Sequence, residues 1–233
     1  GLVGSEMCIR DRCKYSLYIN KFCETPRDVV QAGTESYKIF LMKLILASTS
    51  PYRKSLLERL QVDFACDSPD IDEAPLAGES VQDMVERLAK LKAEAVAGKY
   101  PDALIIGSDQ SAVLDGEILT KSGNFKNAVK QLQKASGKRI IFQTGLCLLN
   151  TKTGNSQTAC VHYTVVFKPL TRDMIEHYLK KEQPYNCAGS FKSEGLGIAL
   201  FDKFEGEDPN ALIGLPLIKL IEMLENEGFS VLG

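Results

Sequence analysis

The chain has 233 residues, a length that suits one domain or two small ones with a buried core. Its 28 Lys and Arg residues are offset by 30 Asp and Glu residues, which gives a net charge of −2. Because a nucleic-acid polymer is held by an excess of positive charge, this balance argues against a dedicated DNA or RNA binder. No apolar run approaches the roughly 18–20 residues that cross a bilayer, so membrane insertion is not expected either.

The cysteine and histidine content limits which reactions the chain can catalyse. The seven cysteines form no C-x-x-C pair, and the two histidines are His162 and His177. Since paired Cys and His spacing marks a zinc site, none is expected. The scattered cysteines are typical of small hydrophobic residues in a reducing compartment. Carboxylates, lysines and arginines must therefore carry any catalysis.

Residues 1–41 differ from the remainder of the chain. They show no sustained hydrophobic period and no secretory signal, and residues 4–12 resemble a translated sequencing adaptor. We predict a non-native or disordered extension over 1–41 and one functional domain over 42–233, beginning at Met42. Because no targeting signal is visible, the cytoplasm is the expected location.

The remainder alternates between strand and helix patterns. The apolar run 44–47 predicts a buried strand, and Ser50 followed by Pro51 predicts the N-cap and first turn of a helix. A second helix is predicted from Ser80 to Gly98. The further predicted elements are a strand at 103–107, a hairpin of 111–114 and 117–119 around Asp115-Gly116, a helix at 124–134, strands at 139–149 and 157–168, a helix at 171–181, a strand-like stretch at 191–201 and a helix at 216–227. This order predicts an α/β sheet protein, with two lobes around a cleft.

Hydroxyl and basic side chains gather where the first strand meets the first helix, namely Ser48, Thr49, Ser50, Arg53 and Lys54. The free backbone N–H groups and positive dipole end of a helix N-terminus attract anions. Two cations in a first turn oppose that dipole, so an incoming phosphate would explain them. An ordinary N-cap with solvated charges explains them equally well.

A carboxylate follows the strand at 103–107, in the run Gly107-Ser108-Asp109-Gln110. Ligands of open α/β sheets bind at the carboxyl edge of the strands. At that edge Asp109 would hold a divalent metal or take a proton from water. An aspartate in an ordinary turn is the alternative.

Further charged residues surround the second helix. Acidic residues at 70–73 precede it, and it carries Lys90 and Lys92 about 200° apart around its axis. Only one of these lysines can point inward, and a solvated pair is the default expectation; Lys121 is likewise expected on the surface. Carboxylates with Lys and Arg and without His are typical of metal-assisted attack on a phosphate. The glycine runs of P-loop and Rossmann proteins are absent from the sequence.

Several motifs in order resemble the Maf family of nucleoside triphosphate pyrophosphatases. They are Leu46-Ala47-Ser48-Thr49-Ser50-Pro51-Tyr52-Arg53, Asp72-Glu73, Leu88-Ala89 with Lys92-Ala93, Gly107-Ser108-Asp109-Gln110, Lys121 and Gly214-Leu215-Pro216-Leu217. The runs at 107–110 and 187–195 further resemble the branch that acts on 7-methyl-GTP. The resemblance implies a long twisted mixed sheet with flanking helices and a central cleft, similar to inosine triphosphate pyrophosphatases, and a homodimer.

The resemblance also implies hydrolysis between the α- and β-phosphates with a divalent metal, Mg²⁺ or Mn²⁺. It assigns the proton acceptor to Asp109 and the metal to Glu73 and Asp109, although the sequence leaves open whether Asp109 is base or ligand. It assigns phosphate binding to Ser48, Ser50, Arg53, Lys92 and Lys121. It assigns base choice to Tyr52, Gln110 and Glu194.

Electrostatics independently favour a methylated base. A 7-methylguanine ring carries positive charge, and the aromatic face of Tyr52 would attract it by about 0.5–2 kcal/mol. Glu194 would accept hydrogen bonds from the guanine N1–H and N2–H₂ groups. A half-buried ring covering the first helix and a solvated loop glutamate are the alternatives.

The hypothesis of 7-methyl-GTP hydrolysis has one motif that departs from the family pattern and two alternative functions. Thr120-Lys121-Ser122 replaces the usual Gly-Lys-Pro, so a looser loop and a reduced rate are expected. One alternative keeps the chemistry with dTTP, UTP or another non-standard nucleotide as substrate. The other is a nucleotide-binding regulator of septum formation and cell division.

Overall fold

A computed structural model describes residues 42–233, and the predicted extension at 1–41 lies outside the described residues. The strands are β1 (Lys43–Ala47), β2 (Phe64–Asp67), β3 (Ala103–Leu114), β4 (Glu117–Leu119), β5 (Arg139–Asn150), β6 (Ser156–Phe167) and β7 (Phe201–Glu205). The helices are α1 (Pro51–Glu58), α2 (Val81–Ala97), α3 (Phe125–Ala135), α4 (Arg172–Glu182), α5 (Asn210–Ile213) and α6 (Leu217–Asn226), with a 3₁₀ helix at Leu196–Leu200. Of these helices, none has the length and apolar character needed to span a membrane.

The strands form one mixed seven-stranded sheet in the order β2-β1-β3-β5-β6-β7, with β4 paired to β3. β1 is parallel to β2 and β3, and the other pairs are antiparallel. The side chains of β1 alternate between two hydrophobic clusters: Leu44 and Leu46 pack with α1 and α6, whereas Ile45 and Ala47 pack with α2. Because helices cover both faces of this strand, its four buried residues, 44–47, are all apolar. The predicted α/β fold with a mixed sheet and flanking helices is confirmed.

The predicted starts of α1 and α2 are confirmed by their capping bonds. Ser50 Oγ accepts a hydrogen bond from the Arg53 backbone N–H at 3.4 Å, and Pro51 occupies the first turn of α1. Ser80 Oγ accepts from the Asp83 N–H at 3.1 Å. The predicted hairpin is also present, with β3 paired to β4. Asp115 and Gly116 have φ of 52° and 82°, and a type I′ turn requires a positive φ at both of its central residues.

The prediction that a strand ends at residue 107 is wrong. β3 continues to Leu114, and Gly107-Ser108-Asp109-Gln110 lies in its middle, because β5 pairs with β3 from Leu104 to Val113. β1 pairs with β3 only as far as Ile106. Asp109 therefore lies where β3 runs past the end of its parallel neighbour, and the space left by β1 opens as a cleft.

The strand-like interpretation of 191–201 is also wrong. That stretch forms turns and the 3₁₀ helix, and β7 starts only at Phe201. A Cβ added to Gly197 would lie 2.1 Å from Lys192 O, so the backbone folds back on itself and does not extend. The Phe191 ring meets that of Phe201 at 4.9 Å, and both rings belong to one hydrophobic cluster. β2 and α5 were not expected from the sequence.

Candidate active site

A cleft of about 560 Å³ lies beside the carboxyl end of β1. It is lined by residues of the β1–α1 turn, the loop before α2, α2, β3, the loop before α3, and the segments 186–194 and 212–213. Ten residues that the sequence predicted for the site all line it: Ser48, Ser50, Tyr52, Arg53, Glu73, Lys92, Asp109, Gln110, Lys121 and Glu194. The tertiary structure thus brings together residues that are up to 146 positions apart in the chain.

Lys92 connects the two carboxylates of the cleft. Its Nζ lies 2.7 Å from Asp109 Oδ1 and 2.7 Å from Glu73 Oε1. Lys92 is only 7% exposed, so the default expectation of a solvated lysine pair is wrong for it. Lys90 points outward and pairs with Glu94 at 3.8 Å, as expected for the solvated member.

The close approach of α2 to the sheet explains why Lys92 points inward. A Cβ on Gly107 would lie 2.0 Å from the backbone oxygen of Ala89, so the helix rests directly on β3 at that glycine. Asp109 is two residues further along the strand and faces the same side. Lys92 is one turn beyond Ala89, and its ammonium group therefore reaches the Asp109 carboxylate.

Glu73 belongs to the loop before α2 and is kept ionised by its neighbours. The hydrogen bond from Lys92 lowers the pKa of Glu73 most strongly, the positive charges of Lys92, Arg53 and Lys121 lower it further, and partial burial works in the opposite direction. The carboxylate is therefore available to bind a cation at neutral pH.

Arg53 supplies positive charge from the first turn of α1. Its Nε donates to the backbone oxygen of Gly214 at 2.8 Å. Burial lowers the pKa of Arg53, whereas the nearby Asp109 and Glu73 carboxylates raise it. Since a guanidinium group stays protonated in proteins, Arg53 is a permanent cation in the cleft. Lys54 pairs with Glu58 at 3.8 Å and is not among the residues that line the cleft.

The two serines of the predicted phosphate loop accept local backbone hydrogen bonds, and Ser50 is the N-cap of α1. Ser48 Oγ accepts from the Ser50 N–H at 3.1 Å, and Ser50 Oγ accepts from the Arg53 N–H. The ordinary N-cap interpretation is therefore correct for Ser50. It does not compete with phosphate binding, because both hydroxyls also line the cleft and can donate their protons to an anion.

Gln110 faces the opposite side of β3 from Asp109 and is tied to the segment that carries α5. Its Nε2 lies 2.6 Å from Ala211 O, 3.1 Å from Leu212 O and 3.1 Å from Thr144 Oγ1. Two N–H groups are consumed by these contacts. A direct contact with the base, as predicted from the resemblance, is thus left to the Gln110 carbonyl oxygen.

Tyr52 and Glu194 lie in the part of the cleft that is lined by the segment 186–194. Tyr52 is 42% exposed, and burial of its hydroxyl, followed by the effect of Cys187, raises the pKa of Tyr52. Glu194 accepts a hydrogen bond from Ser193 Oγ at 3.3 Å. Aromatic and thiol groups that were not predicted as site residues, Phe142, Phe191 and Cys187, complete the lining. Cys187 and Phe191 both lie within the motif at 187–195, whereas no local pattern marked Phe142.

The loop of Lys121 is held on both sides without a proline. Lys121 forms an isolated antiparallel bridge with Ala188. Gln131 Nε2 donates to Thr120 O at 2.7 Å, and Asn127 Nδ2 donates to Ser122 O at 3.1 Å. These contacts link the loop both to α3 and to the segment that carries Glu194.

The two carboxylates, Glu73 and Asp109, suit a metal ion whose remaining ligands come from the substrate and water. In residues 42–233, no group of three or more His, Cys, Asp or Glu side chains is arranged to hold a metal ion. Mg²⁺ is commonly bound by one or two carboxylates together with substrate phosphates and water. Glu73 and Asp109 fit that pattern, since both lie against one ammonium group in the cleft.

The fold and the cleft define an α/β protein with a mixed sheet and a cleft lined by both acidic and basic side chains. The family model described as Maf-like protein matches residues 43–227, so the chain belongs to the Maf-like family. It is 57% identical over 188 residues to the 7-methyl-GTP pyrophosphatase of Pseudomonas syringae pv. tomato, covering 81% of this chain and 98% of that relative. It is 56% identical over 189 residues to the 7-methyl-GTP pyrophosphatase of Colwellia psychrerythraea, covering 81% and 94%.

Among solved structures, the Ham1 protein of Staphylococcus aureus matches 54% of this chain and 71% of its own, with 17% identity and a TM-score of 0.38. That TM-score is too low to assign the fold, which is defined by the strand order of the chain itself.

Proposed function

We propose that this protein is a nucleoside triphosphate pyrophosphatase that hydrolyses 7-methyl-GTP to 7-methyl-GMP and pyrophosphate. The relatives with this activity in their names are similar over nearly their whole length. The observation that carries the chemistry is the contact of Lys92 with both Asp109 and Glu73, beside Arg53, in a cleft of nucleotide size. Removal of modified nucleotides from the cellular pool is the expected role.

The residues of the cleft have separate tasks in this proposal. Arg53 and Lys121 neutralise the triphosphate and the departing pyrophosphate, and charge stabilisation of this kind is a large part of phosphoryl-transfer catalysis. Asp109 Oδ2 takes the proton of the attacking water or binds the cation, while Lys92 holds Oδ1. A divalent ion, Mg²⁺ or Mn²⁺, held by Glu73 and Asp109, would supply further positive charge at the phosphates when bound.

The base is expected against Tyr52 and Glu194. A positively charged 7-methylguanine ring is attracted to an aromatic face and to a carboxylate, whereas neutral guanine gains less from either. The phenyl rings of Phe142 and Phe191 add apolar lining to the cleft. This set of groups favours a flat cationic base over the neutral pyrimidine of dTTP or UTP.

The first test measures pyrophosphate release from 7-methyl-GTP, GTP, dTTP and UTP with Mg²⁺ or Mn²⁺ and after chelation. The wild-type protein should prefer 7-methyl-GTP and lose activity without metal.

Asp109→Asn should lower turnover by about 10²-fold or more while nucleotide binding remains, because one proton-transfer or cation-binding group is lost. Asp115→Asn is the matched control, since it leaves an Asn-Gly turn at the end of the same strand.

Other outcomes would redirect the proposal. A preference for dTTP or UTP would keep the enzyme and refute the role of Tyr52 and Glu194 in base choice. A folded protein that binds nucleotides and hydrolyses none would favour the regulator of septum formation. Cytoplasmic location and a homodimer stay predictions from the sequence and the resemblance.

A further inference from the structure

The segment that carries Glu194 is gripped by two side chains of α4, Tyr178 and Glu182. Glu182 Oε2 accepts a hydrogen bond from the Leu196 backbone N–H at 2.9 Å. The Tyr178 hydroxyl accepts one from the Lys192 N–H at 3.1 Å. The two acceptor residues, Tyr178 and Glu182, are four positions apart on one helix face, and the two donor N–H groups are also four positions apart in the chain. Glu194 lies midway between them.

The packing against Glu182 leaves little freedom to this segment. A Cβ added to Gly195 would lie 2.9 Å from Glu182 Oε2 and 3.0 Å from Oε1, so the residue next to Glu194 rests directly on the carboxylate. Tyr178 is 4% exposed and cannot swing away without opening the core. The backbone on both sides of Glu194 is therefore held by α4, which is not itself among the elements that line the cleft.

Glu182 also pairs with the positive charge of Lys192, which lies near Tyr52. Lys192 Nζ lies 3.6 Å from Glu182 Oε1. Lys192 acts on the Tyr52 hydroxyl, where its positive charge lowers the pKa of Tyr52 against the larger effect of burial. Paired with Glu182, this ammonium group is drawn toward α4. Without that partner it would be free to approach Tyr52, where it would repel a cationic base.

We infer that Tyr178 and Glu182 are positioning residues for base selectivity, acting through the segment 192–196 on Glu194. The inference rests on the proposed function and adds to it the part of the molecule that sets the preference for a methylated base. Neither residue contacts the triphosphate end of the cleft, so loss of either should affect recognition of the base and leave the rate of phosphate chemistry unchanged.

The test compares Glu182→Met, which removes both acceptor oxygens and the charge, with Tyr178→Phe, which removes one acceptor and no charge. Glu176→Met on the same helix is the matched control, because Glu176 pairs with Arg172 at 2.7 Å and does not contact the segment. The first readout is the ratio of kcat/KM for 7-methyl-GTP to that for GTP. The second is amide hydrogen exchange of the peptide that covers 190–198.

Both variants should raise KM for 7-methyl-GTP, lower the ratio by about tenfold with kcat retained, and speed exchange of the 190–198 peptide. Glu182→Gln keeps one acceptor for the Leu196 N–H and should restore part of the ratio. An unchanged ratio, or unchanged exchange, in both variants would overturn the inference. A wild-type protein without activity on any triphosphate would refute the proposed function, and exchange would still decide whether α4 holds the segment.

Discussion

Lys92 shows how one buried cation organises the residues of the cleft. An ammonium group taken out of water is costly unless it is paired, and Lys92 meets two carboxylates at 2.7 Å each. Asp109 has a side-chain exposure of 13% and would be left with little solvent if that cation were absent. Glu73 has a side-chain exposure of 61%, so it can exchange the ammonium group for a ligand-bound cation at lower cost.

Lys92→Met is expected to destabilise the protein and to abolish most turnover. It leaves the Asp109 carboxylate without its partner, which should lower the free energy of unfolding by about 2–4 kcal/mol. The loss should lie near the lower value, because Glu73, the other partner of Lys92, reaches solvent. Lys90→Met, two residues away on the exposed face of α2, should change stability by less than about 0.5 kcal/mol. Chemical denaturation and pyrophosphate release measure both effects. Equal effects of the two substitutions would contradict the central place of Lys92.

At the scale of elements, the position of α2 depends on two glycines. A Cβ on Gly107 would lie 2.0 Å from Ala89 O, and one on Gly145 would lie 2.1 Å from Val85 O. Both contacts are with backbone atoms, which cannot rotate away as a side chain can. The helix that carries Lys92 therefore lies at the one distance from β3 and β5 that lets its ammonium group reach Asp109.

Gly145→Ala should push α2 away from the sheet. The expected loss of stability is about 2 kcal/mol or more, because overpacking against backbone cannot be relieved by a rotamer change. Activity should fall as well, since Lys92 moves with its helix. Gly98→Ala is the matched control at the end of the same helix: nothing lies within 4 Å of its added Cβ and its φ is −63°, so the substitution should be neutral or stabilising. Thermal unfolding of both variants tests the comparison; a neutral Gly145→Ala would refute the account.

At the scale of the whole molecule, the sheet links two regions of packing. One cluster is built around Phe142, Phe167 and Phe201 with α3 and α4, and another around β1 with α1 and α6. β3 and β5 contribute to both clusters, and the cleft opens beside β3 where β1 ends. The far edge is secured by Glu205 on β7, which binds Arg139 on β5 across the intervening strand and Lys203 at 2.9 Å.

This edge should make the stability of the protein sensitive to acid. The hydrogen bond from Arg139, followed by that from Lys203, lowers the pKa of Glu205 from 4.5 to about 2. A carboxylate with a depressed folded-state pKa stabilises the fold above its unfolded value, and the contribution disappears as the pH falls toward the folded value. The difference in Tm between wild type and Glu205→Gln should therefore be constant above about pH 5 and vanish as the pH approaches 2. Glu207→Gln, an exposed neighbour, is the control; a difference that persists undiminished at pH 2 would contradict the prediction.

Local signals explain most of the agreement between the sequence and the fold. The N-caps at Ser50, Ser80 and Thr171 and the turn at Asp115-Gly116 depend on residues within four positions of one another, so the sequence displays them directly. The site residues were found because several short motifs occur in one order, at the β1–α1 turn, within α2 and within β3. The resemblance supplied their grouping, which no single motif contains.

The features that the sequence did not reveal depend on contacts between distant residues. Gln110 is tied to Ala211 and Leu212 more than 100 positions away, which diverts its amide nitrogen from the base. Lys92 and Lys90 look alike in a helical pattern, and only the approach of α2 at Gly107 decides which of them is buried. β3 continues through Gly107 because β5, a strand from another part of the chain, pairs with it from Leu104 to Val113.

The sequence by itself therefore determined the class of fold, the family and ten of the residues that line the charged cleft, because these are written in local patterns and ordered motifs. The tertiary structure alone decided that Lys92 pairs with both Asp109 and Glu73, that the Gln110 amide donates hydrogen bonds to α5, and that α4 holds the segment around Glu194. The reason is physical: burial, pairing and hydrogen bonding of a polar side chain depend on which partner the folded chain brings within about 3 Å, and that distance is absent from a linear sequence.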